Sequence, residues 1–241
     1  MPDHPSPAQG ARAPRPGDAA GVGLPAHRCR RIGLSVEGRP LDAWRFGAEG
    51  GPPLLVLGGV HGDEPSSVEA TRELGRRLAS GAVVAEVPVW LLPALNPDGL
   101  VRGHKNSARD VDLNRNFPAA NFSPAHRPGY FPGAHPLSEP ETAALAALIE
   151  QAGIRAVVAV HAPFACINYD GPAAAWAERV AAACGWPARA DIGYPTPGSL
   201  GSWLGIDRGV PILTLELPPG PLDGFREACR VALNEALRVT L

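Results

Sequence analysis

Two short segments far apart in the chain carry residue types that can hold a metal. Val60-His61-Gly62-Asp63-Glu64 and Val160-His161 each follow an apolar run, and together they offer His, Glu and His. Three protein donors with a fourth position left for water is how hydrolases hold a catalytic zinc ion. His61 and Glu64 are three residues apart, so a strand-to-helix turn can aim both side chains at one ion. His161 closes the set from another strand. Bound zinc lowers the pKa of its water and polarises a substrate carbonyl. A third apolar run, Ile212-Leu213-Thr214-Leu215, delivers Glu216. A carboxylate in a buried strand is costly unless it has a task or a partner. Glu216 is thus suited to take the water's proton and pass it to a leaving amine. Each feature alone has an ordinary structural explanation: HxxE is common, and a single His is more often a hydrogen-bonded structural residue. It is their order along one chain that points to a hydrolase with one zinc per chain.

These residues need elements to bring them together. Arg31–Val36 and Leu41–Phe46 read as paired strands, and Leu54–Leu57 as a buried strand ending at Gly58-Gly59. Val68, Leu74 and Leu78 recur at helical spacing, predicting a helix from about Ser66 to Ala79. Val87–Leu95 reads as a strand stopped by the turn tetrapeptide Asn96-Pro97-Asp98-Gly99. A long irregular stretch, roughly 100–137, follows, and loops of that length in a compact domain are usually functional. Ser138-Glu139-Pro140-Glu141 opens a helix that Ala143–Ile149 continues. Ala156–Val160 is a predicted strand, Ala173–Cys184 a helix, Ile212–Leu217 a strand and Leu222–Val239 a closing helix. Strands alternating with helices predict an α/β sheet covered on both faces. His61, Asn96, His161 and Glu216 all sit just past apolar strands, where open α/β sheets bind ligands.

Length and composition set the frame. The chain has 241 residues, 45% of them apolar, enough for one α/β domain. Residues 1–27 read as a disordered or loosely docked tail, because they offer too little apolar surface to offset ordering, and 28–241 as the catalytic domain. A formal net charge of -2 gives no basic excess for nucleic acid. No run is long enough to span a membrane. The N-terminus lacks the apolar stretch of a secretory signal, which predicts a cytoplasmic protein. Cys29, Cys166, Cys184 and Cys229 form no CxxC pair and suggest no disulfide framework.

The ordered set Val60-His61-Gly62-Asp63-Glu64, Asn96-Pro97-Asp98-Gly99, Val111-Asp112-Leu113-Asn114-Arg115-Asn116-Phe117, His161 and Leu215-Glu216 closely resembles the zinc carboxypeptidase family. The resemblance covers about residues 30–241. It implies a single α/β domain with a mixed, mostly parallel central sheet and helices on both faces. It implies zinc on His61, Glu64 and His161, with Glu216 as base. Asn114 and Arg115 match the pair that grips the substrate's terminal carboxylate, a role suited to the guanidinium fork. Asp112 matches the carboxylate that orients the first zinc histidine through its other N–H. Counting back from Asp112 places Lys105 where the family sets an arginine that stabilises the oxyanion; Arg102 and Arg109 are the alternatives. Asp110 stands where a glycine is common. Tyr194 lies near the family's mobile tyrosine. Leu200 falls where side-chain preference is set, and its apolar side chain argues against selectivity for C-terminal Lys or Arg.

Within the family, Asp112–Asn121, Ser138–Thr142 and Gly193–Trp203 are most similar to members that cut cytoplasmic murein peptides between γ-D-glutamate and meso-diaminopimelate. That implies a small murein peptide as substrate, with Ser199, Ser202 and the loop near Asp170 as candidate partners for the far end of diaminopimelate. Three other readings stay open: a general metallocarboxypeptidase on L-peptides, an acyl-amino-acid deacylase, and a zinc-dependent peptide receptor without catalysis.

Overall fold

The computed structural model describes residues 23–239, so most of the predicted tail lies outside the described residues. Within that span Leu24 is buried against the core. Eight strands form one sheet: β1 Cys29–Leu34, β2 Pro40–Phe46, β3 Leu54–Leu57, β4 Val89–Leu92, β5 Ala156–His161, β6 Cys166–Asp170, β7 Ala188–Arg189 and β8 Ile212–Glu216. Their order across the sheet is β1-β2-β4-β3-β5-β8-β6-β7. β4, β3, β5 and β8 run parallel, while β2 on β4 and β6 on β8 are antiparallel. Five helices cover it: α1 Pro65–Ser80, α2 Pro97–Arg102, α3 Pro140–Ala152, α4 Ala174–Cys184 and α5 Arg226–Ala236. This is the mixed, mostly parallel α/β sheet that the sequence led us to expect.

The parallel centre is apolar on both sides because both sides are covered. Leu54, Val56, Val158, Val160, Leu213 and Leu215 pack on one face with α1, α4 and α5. Leu55, Leu57, Val157, Ala159 and Ile212 pack on the other with α3 and Phe117. The chemistry belongs to this second face.

Several boundaries differ from expectation for identifiable reasons. The predicted strand Val87–Leu95 shrinks to Val89–Leu92, because Pro88 and Pro93 bracket it and proline cannot donate to a ladder. Asn96-Pro97-Asp98-Gly99 does not simply turn; it opens α2, with Asn96 Oδ1 accepting from the Gly99 amide at 2.8 Å. The closing helix begins only at Arg226, since Phe225 at φ -142° breaks it from a short turn at Leu222–Gly224. β6 and β7 were not anticipated. Asn168 and Asp170 are poor strand formers, so β6 carries a weak local signal.

Candidate metal centre and active site

His61 and Glu64 are positioned by the crossover from β3 to α1. Pro65 takes the first helical position, so Glu64 falls at the N-cap, yet its side chain makes no cap hydrogen bond and turns to other partners, the Ala162 amide among them at 3.3 Å. The Ser67 hydroxyl fixes the loop, donating to the Glu64 carbonyl at 2.7 Å and accepting from the Gly59 amide at 3.0 Å. Gly62 crosses α2 so closely that a Cβ there would lie 2.0 Å from the Gly99 carbonyl carbon. Only glycine permits that approach. His161 ends β5, and Glu216, its register partner, ends β8.

The donors converge. His61 Nδ1 lies 2.7 Å from Glu64 Oε1, and His161 Nδ1 lies 3.2 Å from Glu64 Oε2. One ligand atom from each of the three falls within 4.8 Å of the other two. The other nitrogen of His61, Nε2, meets Asp112 Oδ1 at 3.1 Å, the arrangement that fixes a metal-binding imidazole. Asp112 is fully buried and also accepts from the Asn114 amide at 2.9 Å and Lys105 Nζ at 2.7 Å. Burial opposes charge on His61, but Asp112 and Glu64 outweigh it and lift the imidazole to about 9. Burial likewise opposes charge on Glu64, and His161 and His61 overcome it, holding the carboxyl at about 2. A proton on His61 thus offsets the carboxylates of Asp112 and Glu64. A divalent cation with these three donors satisfies the same charge, so the residues fit zinc.

Glu216 is buried, and its Oε2 has no hydrogen-bond partner. Burial raises its pKa, with His161 pulling the other way. It lines a cavity of about 310 Å³ together with His61, Glu64 and His161.

Asn114, Arg115, Lys105, Tyr194 and Leu200 line the same cavity. Arg115 is buried with no carboxylate within 4.0 Å among the described residues; its Nη1 donates to the Asn114 carbonyl at 2.5 Å. Asn114 Oδ1 accepts from the Leu200 amide at 3.1 Å, which gives Leu200 a backbone role beside its apolar lining. Lys105 is both the ion-pair partner of Asp112 and a cation 3.6 Å from the Tyr130 ring centre. Arg102 pairs instead with Glu37, and exposed Arg109 faces Glu139; neither lines the cavity. Tyr194 is half-buried, packed near Phe164 and Tyr130. Asp110 adopts φ +61°, a conformation Asp tolerates, and accepts from Asn106 Nδ2 at 3.0 Å.

Two residues escaped the sequence reading, and a third was placed only within a loop. Tyr130 stands over Lys105 and has Arg115 5.4 Å from its ring centre. It sits in the irregular stretch, where no periodicity marks it. Asn116 is buried and ties the site loop to the segment before α3: its Nδ2 donates to Pro132, His135 and Ser138, and its Oδ1 accepts from Glu139 and Thr142. The third, Asp170, lines the cavity from β6.

A zinc carboxypeptidase family model matches residues 25–175. The chain belongs to that family and is a zinc metallopeptidase. It is 36% identical over 222 residues to murein peptide amidase A of Escherichia coli (strain K12), covering 86% of this chain and 88% of that protein. It is 34% identical over 205 residues to murein peptide amidase A of Vibrio campbellii, covering 79% of each. The crystal structure of murein-tripeptide amidase from Escherichia coli O157 matches with a TM-score of 0.75 at 33% identity, covering 94% of this chain and 98% of that one. The motif resemblance is thereby borne out. No helix among the described residues is long and apolar enough to cross a membrane.

Proposed function

We propose that this chain is a zinc-dependent murein peptide amidase that hydrolyses the amide bond between γ-D-glutamate and meso-diaminopimelate. The carrying observation is the buried, carboxylate-free Arg115 in one cavity with the His61–Glu64–His161 donors and the unpartnered Oε2 of Glu216. Similarity to amidases over nearly their whole length supports the substrate class.

His61, Glu64 and His161 would hold the zinc. When bound, zinc supplies Lewis acidity, making water easier to deprotonate and a carbonyl easier to attack. Arg115, with Asn114, grips the free carboxylate of the residue that departs. Glu216 accepts the water's proton on its open Oε2 and hands it to the departing amine. Lys105 offers positive charge where the carbonyl oxygen becomes negative. Asp112 holds His61 and Lys105 in their places.

The test is to incubate the purified, zinc-analysed protein with L-Ala-γ-D-Glu-meso-diaminopimelate and follow free diaminopimelate. Release of diaminopimelate, slowed sharply by amidating the carboxylate of that residue, supports the reading. Faster cleavage of ordinary L-peptides would replace it with a general carboxypeptidase.

A further inference from the structure

The sheet face under the cavity is built in rungs. His161 on β5 pairs with Glu216 on β8, and Glu216 with Cys166 on β6. Two residues along, Ala159, Thr214 and Asn168 form the next rung. Two further on, Val157, Ile212 and Asp170 form the third. Paired residues share a face and the face repeats every second residue, so Asp170 looks into the space that Glu216 looks into. Four residues separate the two rungs, roughly 13 Å at about 3.3 Å per residue. Residues of all three rungs, Glu216, Ala159, Thr214, Asn168, Ile212 and Asp170, line the same cavity, and Ala159 and Thr214 between its two ends are small.

Asp170 is held there deliberately by its neighbours. The turn Gly201–Ile206, wound as a π-helix, closes over it. A Cβ on Gly201 would lie 2.2 Å from Asp170 Oδ2, and one on Gly205 would lie 2.6 Å from Asp170 Cβ. Both positions must be glycine for the turn to pack on this carboxylate. Among the described residues no Lys, Arg or His lies within 4.0 Å of it. Burial alone acts on its titration, pushing it up. A half-buried carboxylate without a cation leaves a charge partly desolvated and unpaired, and this one faces the substrate cavity.

We propose that Asp170 is a specificity residue that binds an ammonium group at the far end of the departing residue's side chain, a contact that rests on the peptidase reading above. In diaminopimelate, six bonds of about 1.5 Å link the nitrogen of the cut amide to the far ammonium, an extended reach of roughly 7–8 Å. One hydrogen bond at each end, to Glu216 and to Asp170, brings the span to about the rung separation. Lysine places an ammonium at the same distance. Norleucine has the same carbon chain without the charge. The acid that Leu200 lacks is therefore supplied by β6, against which the turn that follows Leu200 packs.

The test compares L-Ala-γ-D-Glu-X with X as meso-diaminopimelate, L-lysine or L-norleucine. The wild type should favour the two ammonium-bearing substrates over norleucine by about tenfold or more in kcat/KM. Asp170→Asn should raise KM for those two roughly 10- to 100-fold, the size of a lost charged hydrogen bond, and leave norleucine kinetics unchanged. Unchanged norleucine kinetics also show that the variant is folded. Asp170→Glu should retain discrimination against norleucine even where its rate falls. Persistence of the ammonium preference in Asp170→Asn overturns the proposal, as does an equal loss on all three substrates with an unchanged melting temperature. Failure of the wild type on all three overturns the peptidase reading itself, and Asp170's role with it.

Discussion

Two groups of buried carboxylates can be compared, and we read only one of them as built for chemistry. Beside β1, Asp98 is fully buried and accepts from Ser35 Oγ at 2.7 Å, the Glu37 amide at 3.0 Å and Arg39 Nη1 at 2.6 Å. Its neighbour Glu141 accepts from the Val36 amide at 3.1 Å and leaves Oε2 without a partner. At the metal centre Asp112 is equally satisfied, and Glu216 equally leaves Oε2 open. Burial raises the pKa of both glutamates. The difference lies in what surrounds the open oxygen. Around Glu216 stand two histidines, a third carboxylate and an open cavity. Around Glu141 stand packed protein, Glu139 and Asp98, and among the described residues no histidine nitrogen within 4.0 Å of its carboxylate. A buried, unpaired carboxylate is thus a cost in either place, and it becomes a catalytic group only where donors converge on reachable space.

Removing a donor tests that distinction most severely. His61→Ala or His161→Ala should lose zinc and activity together, measured by metal analysis beside turnover. Full zinc occupancy in both variants would sink the ligand assignment. Next in size, Glu216→Gln should keep its zinc and lose roughly 10²–10⁴-fold in rate, because shape stays and the proton acceptor goes. Near wild-type turnover would place the base elsewhere.

Lys105→Met should lower kcat by about 10²–10³-fold with little change in KM, as expected for a donor used only when charge develops. A change confined to KM would make Lys105 a substrate-binding residue instead. Arg115→Ala should act mainly through KM. An amidated substrate should then cost the wild type much and the variant little, since the guanidinium it offends is already gone.

The smallest effect belongs to the other carboxylate. Burial first, then Glu139 and Asp98, raise Glu141 to about 7 against backbone hydrogen bonds that favour its charge. Folded protein therefore holds a proton that the unfolded chain releases near its ordinary value of about 4.5. Its contribution is complete below that value and is lost as pH rises through about 7, on the order of 1–3 kcal/mol. Glu141→Gln should flatten this loss and leave activity alone. Urea denaturation of both proteins at pH 5 and pH 8 measures it, and an identical pH dependence in the two would refute the argument.

The metal donors were legible because each follows an apolar strand, and a strand ending in His or Glu breaks a burial rule on view in the sequence. Asp112, Asn114 and Arg115 were legible only through the family resemblance. Asn116, in the same segment, is a hub of five hydrogen bonds, which no spacing could reveal because all five partners are distant in sequence. Asp170 was expected on a loop and lies on a strand, for a different reason. Pocket-facing polar residues on β6 erase the apolar signal by which a strand is recognised.

Residue type and order along the chain determined the chemistry: which atoms can bind zinc, which carboxylate is costly enough to need a task, and that strands and helices alternate. Tertiary structure alone decided the registers. Pairing His161 with Glu216 sets the proposed base beside the proposed metal donors, and carrying that ladder two rungs further sets Asp170 on the same cavity. Register depends on contacts between segments dozens of residues apart, and a slip of one residue would turn every one of these side chains to the opposite face. Local sequence encodes what each strand presents; only the packed sheet decides what it presents it to.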